Sequence, residues 1–171
     1  DRDGNYIVDD AGKADLLNAY YNSINIVDDG TYPTFSPRTA SKLDDIHFNA
    51  YAIRNHCNKL KPKFSCGPDG YPPLLLKRIG PAIAEVIAQL FQSFMSIGRV
   101  PEEWKQAFIK PLYKKGPSAD PASYRPVSLT SALSKLMEKI IVEQLLKYLL
   151  TNNLISKHQH GFLSRRSTAT N

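Results

Sequence analysis

"YRPVSLTSALSKLMEKII" (124–141) changes its period within a few residues. The stretch "YRPVSL" (124–129) reads as a strand, with Pro126 beside Arg125. From Ser131 to about Leu150 the apolar residues Leu133, Leu136, Met137, Ile140, Ile141, Leu145 and Leu149 recur at helical steps. Asn152 or Asn153 is placed to stop that helix. Just upstream, "QAFIKPLYKKG" (106–116) carries Phe108, Ile109, Leu112 and Tyr113 in another strand, with Pro111 arguing for an edge position. The loop "PSADPAS" (117–123) joins the two into a hairpin able to project from a body. Arg125, the one strong charge before the helix, therefore sits on a strand beside a proline. Taken alone, such a residue is a surface arginine at a strand end.

The remainder is mainly helical, so the fold class is α+β. Leu16, Leu17, Tyr20, Tyr21 and Ile24 predict a helix within 13–26, and the proline- and hydroxyl-rich 30–43 reads as a connection. A stripe of Ile46, Ala50, Ile53, Cys57 and Leu60 predicts a second helix, with Asp44 or Asp45 as its cap. Residues 61–73, "KPKFSCGPDGYPP", are dense in turn formers and predict a loop. An apolar helix over 82–97 is bracketed by Pro81 and Gly98, and "PEEW" (101–104) adds a turn with acids at its start.

Of 171 residues, 42% are hydrophobic, enough for one domain with a core or a large piece of a longer protein. Asp1 in place of a methionine and the open ending "STATN" fit a fragment. No apolar run approaches the 18 residues of a membrane span, and the acidic start is no secretory signal. Cys57 and Cys66 have no partners at metal-ligand spacing, so a reduced, intracellular setting is the simpler expectation. The formal charge of +6 is uneven: residues 1–50 hold nine acids and four bases, whereas 51–171 hold seven acids and eighteen bases. The basic part is the candidate surface for a polyanion, since lysine and arginine neutralise phosphates and release their counterions.

Four blocks, "SCGPDGYPPLLLK" (65–77), "VPEEWKQAFIKPLYKKG" (100–116), "YRPVSLTSALSKLMEKII" (124–141) and "QHGFLSRRST" (159–168), stand in that order. Together they resemble the beginning of the reverse transcriptase of non-LTR retrotransposons, the LINE type, and most closely jockey-like elements. The resemblance covers roughly Asp44 to Asn171. It divides the chain into an acidic upstream segment (1–43) and the fingers with the start of the palm of a right-hand polymerase (44–171).

What the resemblance implies is RNA-directed DNA synthesis, with an RNA template, a DNA primer and a deoxynucleoside triphosphate as partners. Lys114 and Arg125 match the family's triphosphate-contacting pair, one from each strand of the fingers hairpin. Lys105, Lys110, Lys115, Arg165 and Arg166 are candidates for template–primer contact, while Gln159 and Gly161 shape the turn of their block. Leu163 departs from the family, which usually has a basic residue after the phenylalanine. "GPDG" (67–70) lacks the lysine and glycine spacing of a phosphate loop, so a packing role is expected for it.

The family uses two Mg2+ ions on palm carboxylates, and the resemblance puts those carboxylates beyond Asn171. The pairs Asp9–Asp10, Asp28–Asp29 and Asp44–Asp45 lie upstream of the fingers and read as caps and turns. His158 and His160 lack the further ligands a metal site needs. The expectation is a chain that is inactive as a polymerase by itself, without membrane association, in a nuclear or cytoplasmic ribonucleoprotein. The alternative is a catalytically inactive, transposon-derived remnant that binds RNA.

Overall fold

A computed structural model describes residues 6–164, 166, 167 and 169. Five helices and one hairpin make it up: α1 (Asp10–Ser23), α2 (Ala50–Lys59), α3 (Pro73–Ile79), α4 (Ala84–Ile97), β1 (Phe108–Tyr113), β2 (Tyr124–Leu129) and α5 (Ala132–Thr151). Single 3-10 turns at Glu102–Trp104 and Pro121–Ser123 precede the two strands. The molecule is thus helical with a small two-stranded antiparallel sheet, as the α+β reading expects.

The core lies where α2, α4 and α5 meet. Ile53, Cys57, Ala84 and Phe91 are fully buried there, with Ile87, Leu136, Met137 and Ile140 nearly so. Phe91 takes Phe48 and Trp104 edge-on, with ring centroids 5.4 and 6.1 Å away. These are the offsets that aromatic quadrupoles prefer. The tryptophan of "PEEW" thereby anchors the chain that leads into β1.

Helix ends follow capping chemistry. Ser131 begins α5 by accepting the Ser134 amide at 3.2 Å, and Asn152 closes it, with Asn153 in a left-handed conformation at φ 53°. Gly98 ends α4 at φ 64°, a conformation glycine adopts without penalty. Asp9 caps α1 through the Gly12 amide at 2.7 Å, while Asp28 and Asp29 accept the amides of Gly30 and Thr31 in turns. Both aspartate pairs serve the caps and turns expected of them.

Five details differ from the sequence reading. The cap of α2 is Asn49, which accepts the Ala52 amide at 2.8 Å; Asp44 and Asp45 lie several residues before the helix. Ile46 belongs to the extended lead-in and packs against the core from there. Helix α4 starts three residues beyond Pro81, and α3 forms where no helix was expected, on the Pro73 side of the loop. On α5 the far end of the expected apolar face opens out, leaving Leu145 37% exposed.

The extended segment before α2 is tied by hydrogen bonds to that end of α5 and the turn after it. Tyr148 donates its hydroxyl to the Ser41 carbonyl at 2.7 Å, and Arg38 reaches the Leu154 carbonyl at 3.3 Å. Gln144 accepts the His47 amide at 3.0 Å and donates to the His47 carbonyl at 2.9 Å. Side chains four apart on α5 thus replace the sheet partner an extended segment ordinarily needs.

Candidate functional site

β1 and β2 pair along their whole length, with Leu112 opposite Arg125 and Tyr113 opposite Tyr124. Residues directly opposite in an antiparallel pair share a face, and alternate residues along a strand return to it. Lys110, Leu112, Arg125 and Val127 therefore share one face of the hairpin. The ladder runs one step further through the Lys114 amide, which donates to the Ser123 carbonyl at 2.9 Å. Lys114 thus continues the Lys110–Leu112 alternation and lies diagonal to Arg125. Both members of the expected pair come together on one side of the hairpin, joined by Lys110.

All three cations are exposed, and no described residue accepts a hydrogen bond or ion pair from the side chains of Lys110, Lys114 or Arg125. Three unpaired positive charges around a half-exposed leucine form a face ready for an oxyanion. A guanidinium can grip two phosphate oxygens at once, with the ammonium groups as point charges beside it.

The opposite face explains how the tip keeps its shape. Tyr113 and Tyr124 meet with ring centroids 5.7 Å apart, and both hydroxyls reach into the turn. Tyr113 donates to the Gly116 carbonyl at 2.7 Å and Tyr124 to the Ser118 carbonyl at 2.8 Å. Asp120 accepts the Ala122 amide at 2.9 Å, and Gly116 takes φ 100° with a Cβ there only 2.7 Å from Ser123 Oγ. Sequence reasoning missed these tyrosines as positioning residues. Their symmetric places at the two ends of the loop are the available signal.

The remaining predicted residues spread out. Lys115 is exposed in the turn, next to the cationic face. Lys105 is engaged by Glu102, 2.6 Å away within one 3-10 turn. Arg166 is used inside its own loop, donating to the carbonyls of Lys157 and Gln159 at 3.1 and 2.7 Å. Gln159 donates to the Gly161 carbonyl at 2.9 Å and so shapes the turn as expected. Arg165 lies outside the described residues.

Gly67 has the packing role expected of "GPDG". A Cβ there would stand 2.5 Å from the Thr130 carbonyl carbon and 2.6 Å from the Ser131 amide nitrogen. The loop therefore presses its backbone against the junction of β2 and α5, fixing the base of the hairpin.

A two-metal centre needs several carboxylates converging on one point. Among the described residues no group of three or more His, Cys, Asp or Glu side chains gathers, and two of the aspartate pairs serve a cap and turns. The described residues do not fit a Mg2+ centre. Nor is any helix among them long and apolar enough to cross a membrane.

No family model matches the chain. Among curated proteins, it is 34% identical over 107 residues to a Drosophila melanogaster protein named "Probable RNA-directed DNA polymerase from transposon BS", covering 62% of the chain and 12% of that protein. It is 32% identical over 117 residues to the RNA-directed DNA polymerase from mobile element jockey of Drosophila melanogaster, covering 68% of the chain and 13% of the relative. It is 30% identical over 118 residues to the Pol polyprotein from the type-1 retrotransposable element R1 of Bradysia coprophila, at 68% and 12% coverage. The chain spans about an eighth of the length of these relatives. Through this stretch it is related to the RNA-directed DNA polymerases of jockey-like, non-LTR retrotransposons.

Proposed function

We propose that this chain forms part of the fingers, and the start of the palm, of a right-hand RNA-directed DNA polymerase. Its hairpin holds the incoming deoxynucleoside triphosphate. The observation that carries this reading is the shared face of Lys114, Arg125 and Lys110, exposed and without an acidic partner among the described residues. Arg125 takes phosphate oxygens as a fork, Lys114 neutralises a neighbouring oxygen, and the tyrosine pair keeps the tip from splaying. Lys105, Lys110, Lys115, Arg165 and Arg166 serve the RNA template and DNA primer. Lys105 would have to leave Glu102 to do so, and Arg166 the carbonyls of Lys157 and Gln159. The two-metal chemistry that the resemblance implies would need carboxylates from elsewhere in a longer polymerase.

The test is primer extension by a jockey-type polymerase carrying this segment. Arg125→Ala removes charged hydrogen bonds worth about 1.5–3 kcal/mol, so kcat/KM for the nucleotide should fall roughly 10- to 100-fold. An Arg125→Ala enzyme with unchanged kcat and nucleotide KM overturns the assignment.

A further inference from the structure

Helix α4 has a second apolar face that the core does not use. Ala84, Ile87, Ala88 and Phe91 are its buried residues. Beside them a stripe of Ile83, Val86, Leu90 and Ile97, with Ser93 before the last, faces solvent. Val86 and Ile97 are 63% and 64% exposed, and Ile83 and Leu90 are each 40% exposed. Steps of three and four are the heptad spacing that brings residues onto one seam of a helix. The seam reaches back past the helix start. The Ile83 amide donates to the Ile79 carbonyl at 3.2 Å, a helical bond across the junction with α3, so exposed Ile79 stands one turn earlier.

Charge sets this face apart. Glu85 is the single charged side chain among the 14 residues of α4, against a charged fraction of 22% in the whole chain. It lies off the seam, paired with Arg54 at 3.5 Å. Gln89 and Ser96, which flank the seam, are polar and neutral. A helix face left to water ordinarily carries charge, whereas a contiguous apolar stripe with a polar rim marks a surface that meets another protein.

The seam is complementary to itself. A second α4 laid antiparallel, about a two-fold axis between Leu90 and Ser93, places Val86 opposite Ile97 and Leu90 opposite Ser93, large against small. The neutral rim brings no like charges together. Antiparallel helices also oppose their dipoles, and the acidic start of one copy comes level with the end of the other, where Arg99 follows the Gly98 cap. No described residue accepts from the Arg99 side chain. A parallel pair would instead bring Glu85 beside Glu85 and align the two dipoles.

We propose that the face of α4 formed by Ile83, Val86, Leu90 and Ile97 is a homodimer interface, occupied by the same face of a second copy of this chain in antiparallel register. It shares no residue with the hairpin. A single helical seam is smaller than a standard interface, so the dimer is weak and concentration-dependent.

The experiment is sedimentation velocity of the full chain over a dilution series from submicromolar to hundreds of micromolar. A reductant keeps half-buried Cys66 from cross-linking copies. The sedimentation coefficient should rise with concentration along a monomer–dimer isotherm. V86Q/L90Q, at two exposed positions, should weaken association about 100-fold or more, with circular dichroism establishing that the fold is kept. I26Q/V27Q, which changes exposed apolar residues elsewhere, should dimerise as wild type. V86E and I97K should each weaken the dimer. Combined, they set glutamate against lysine across the antiparallel seam, so V86E/I97K should associate more tightly than either single variant, and salt should weaken that gain. Arg125→Gln should leave dimerisation unchanged, which keeps this outcome separate from the hairpin reading. A chain that is monomeric at every concentration, or a dimer that V86Q/L90Q does not weaken, overturns the proposal. A V86E/I97K chain that associates no more tightly than the singles overturns the antiparallel register.

Discussion

Gln144 on α5 holds the backbone of His47 by both ends of its amide, accepting from the amide nitrogen at 3.0 Å and donating to the carbonyl at 2.9 Å. Gln92 on α4 does the same one residue to either side, accepting from Phe48 N at 3.3 Å and donating to the Ile46 carbonyl at 3.4 Å. Three consecutive residues of an extended segment are thus clamped between two helices by side chains standing in for a β-partner. The clamp delivers Asn49 to cap α2 and puts Phe48 against Phe91.

Gln144→Ala removes two hydrogen bonds to His47 at an exposed site and a longer one to the Ile140 carbonyl at 3.3 Å, and Gln92→Ala removes two at a part-buried one. Each should cost about 1 kcal/mol or somewhat more, with Gln92 the costlier because its partners are less able to turn to water. Urea denaturation of the singles and the double checks this. Because both clamps hold one segment, the combined loss should depart from the sum of the single losses.

The two glycines of "GPDG" should respond differently to alanine. At Gly67 the new Cβ meets backbone atoms of Thr130 and Ser131 at 2.5–2.8 Å, which cannot rotate away, so overpacking should cost about 1–3 kcal/mol. At Gly70 nothing lies within 4 Å, and only the left-handed φ of 72° is penalised, at about 1 kcal/mol. Thermal melts rank the two, and Gly67→Ala should also disturb amide shifts at Thr130 and Ser131.

Burial raises the Cys57 thiol above its ordinary range. The folded protein therefore holds that proton to higher pH than the unfolded chain does, and binds more protons between the two values. Its contribution is complete below the unfolded thiol value and declines as pH rises above about 8.5. Cys57→Ala should flatten the alkaline loss of stability expected of wild type. With a thiol reagent at neutral pH, half-buried Cys66 should react first and Cys57 only as the protein opens.

Removing one tyrosine hydroxyl at the hairpin tip tests whether the turn is held from its opposite face. Tyr113→Phe and Tyr124→Phe each keep the ring pair and lose one hydrogen bond, so global stability should change by no more than about 1 kcal/mol. Amide hydrogen exchange at Lys114 and Lys115 should nevertheless quicken, because the tip opens locally.

Legibility varied with the range of the interactions involved. The bounds of β2, the Ser131 cap and the Gly98 stop follow from local chemistry over a few residues, and the structure has them there. The pairing of Lys114 with Arg125 on one face follows once the strands and their register exist. Elements set by distant partners were not visible. Ile46 fits the helical stripe of α2 by spacing, yet Gln92 and Gln144 draw its neighbourhood into an extended segment from 44 and 97 residues away. Helix α3 begins inside a proline-rich turn and is held by packing against α2 and α5. Arg166 looked like a free cation, whereas two nearby carbonyls claim it.

The most direct test of the central claim is a titration of the isotope-labelled chain with a deoxynucleoside triphosphate, followed by amide chemical shifts with and without Arg125→Gln. Saturable shifts are expected at Lys110, Leu112, Lys114 and Arg125, with binding weakened about tenfold or more by Arg125→Gln. Shifts confined to other surfaces, or a hairpin response that Arg125→Gln leaves unchanged, would contradict it.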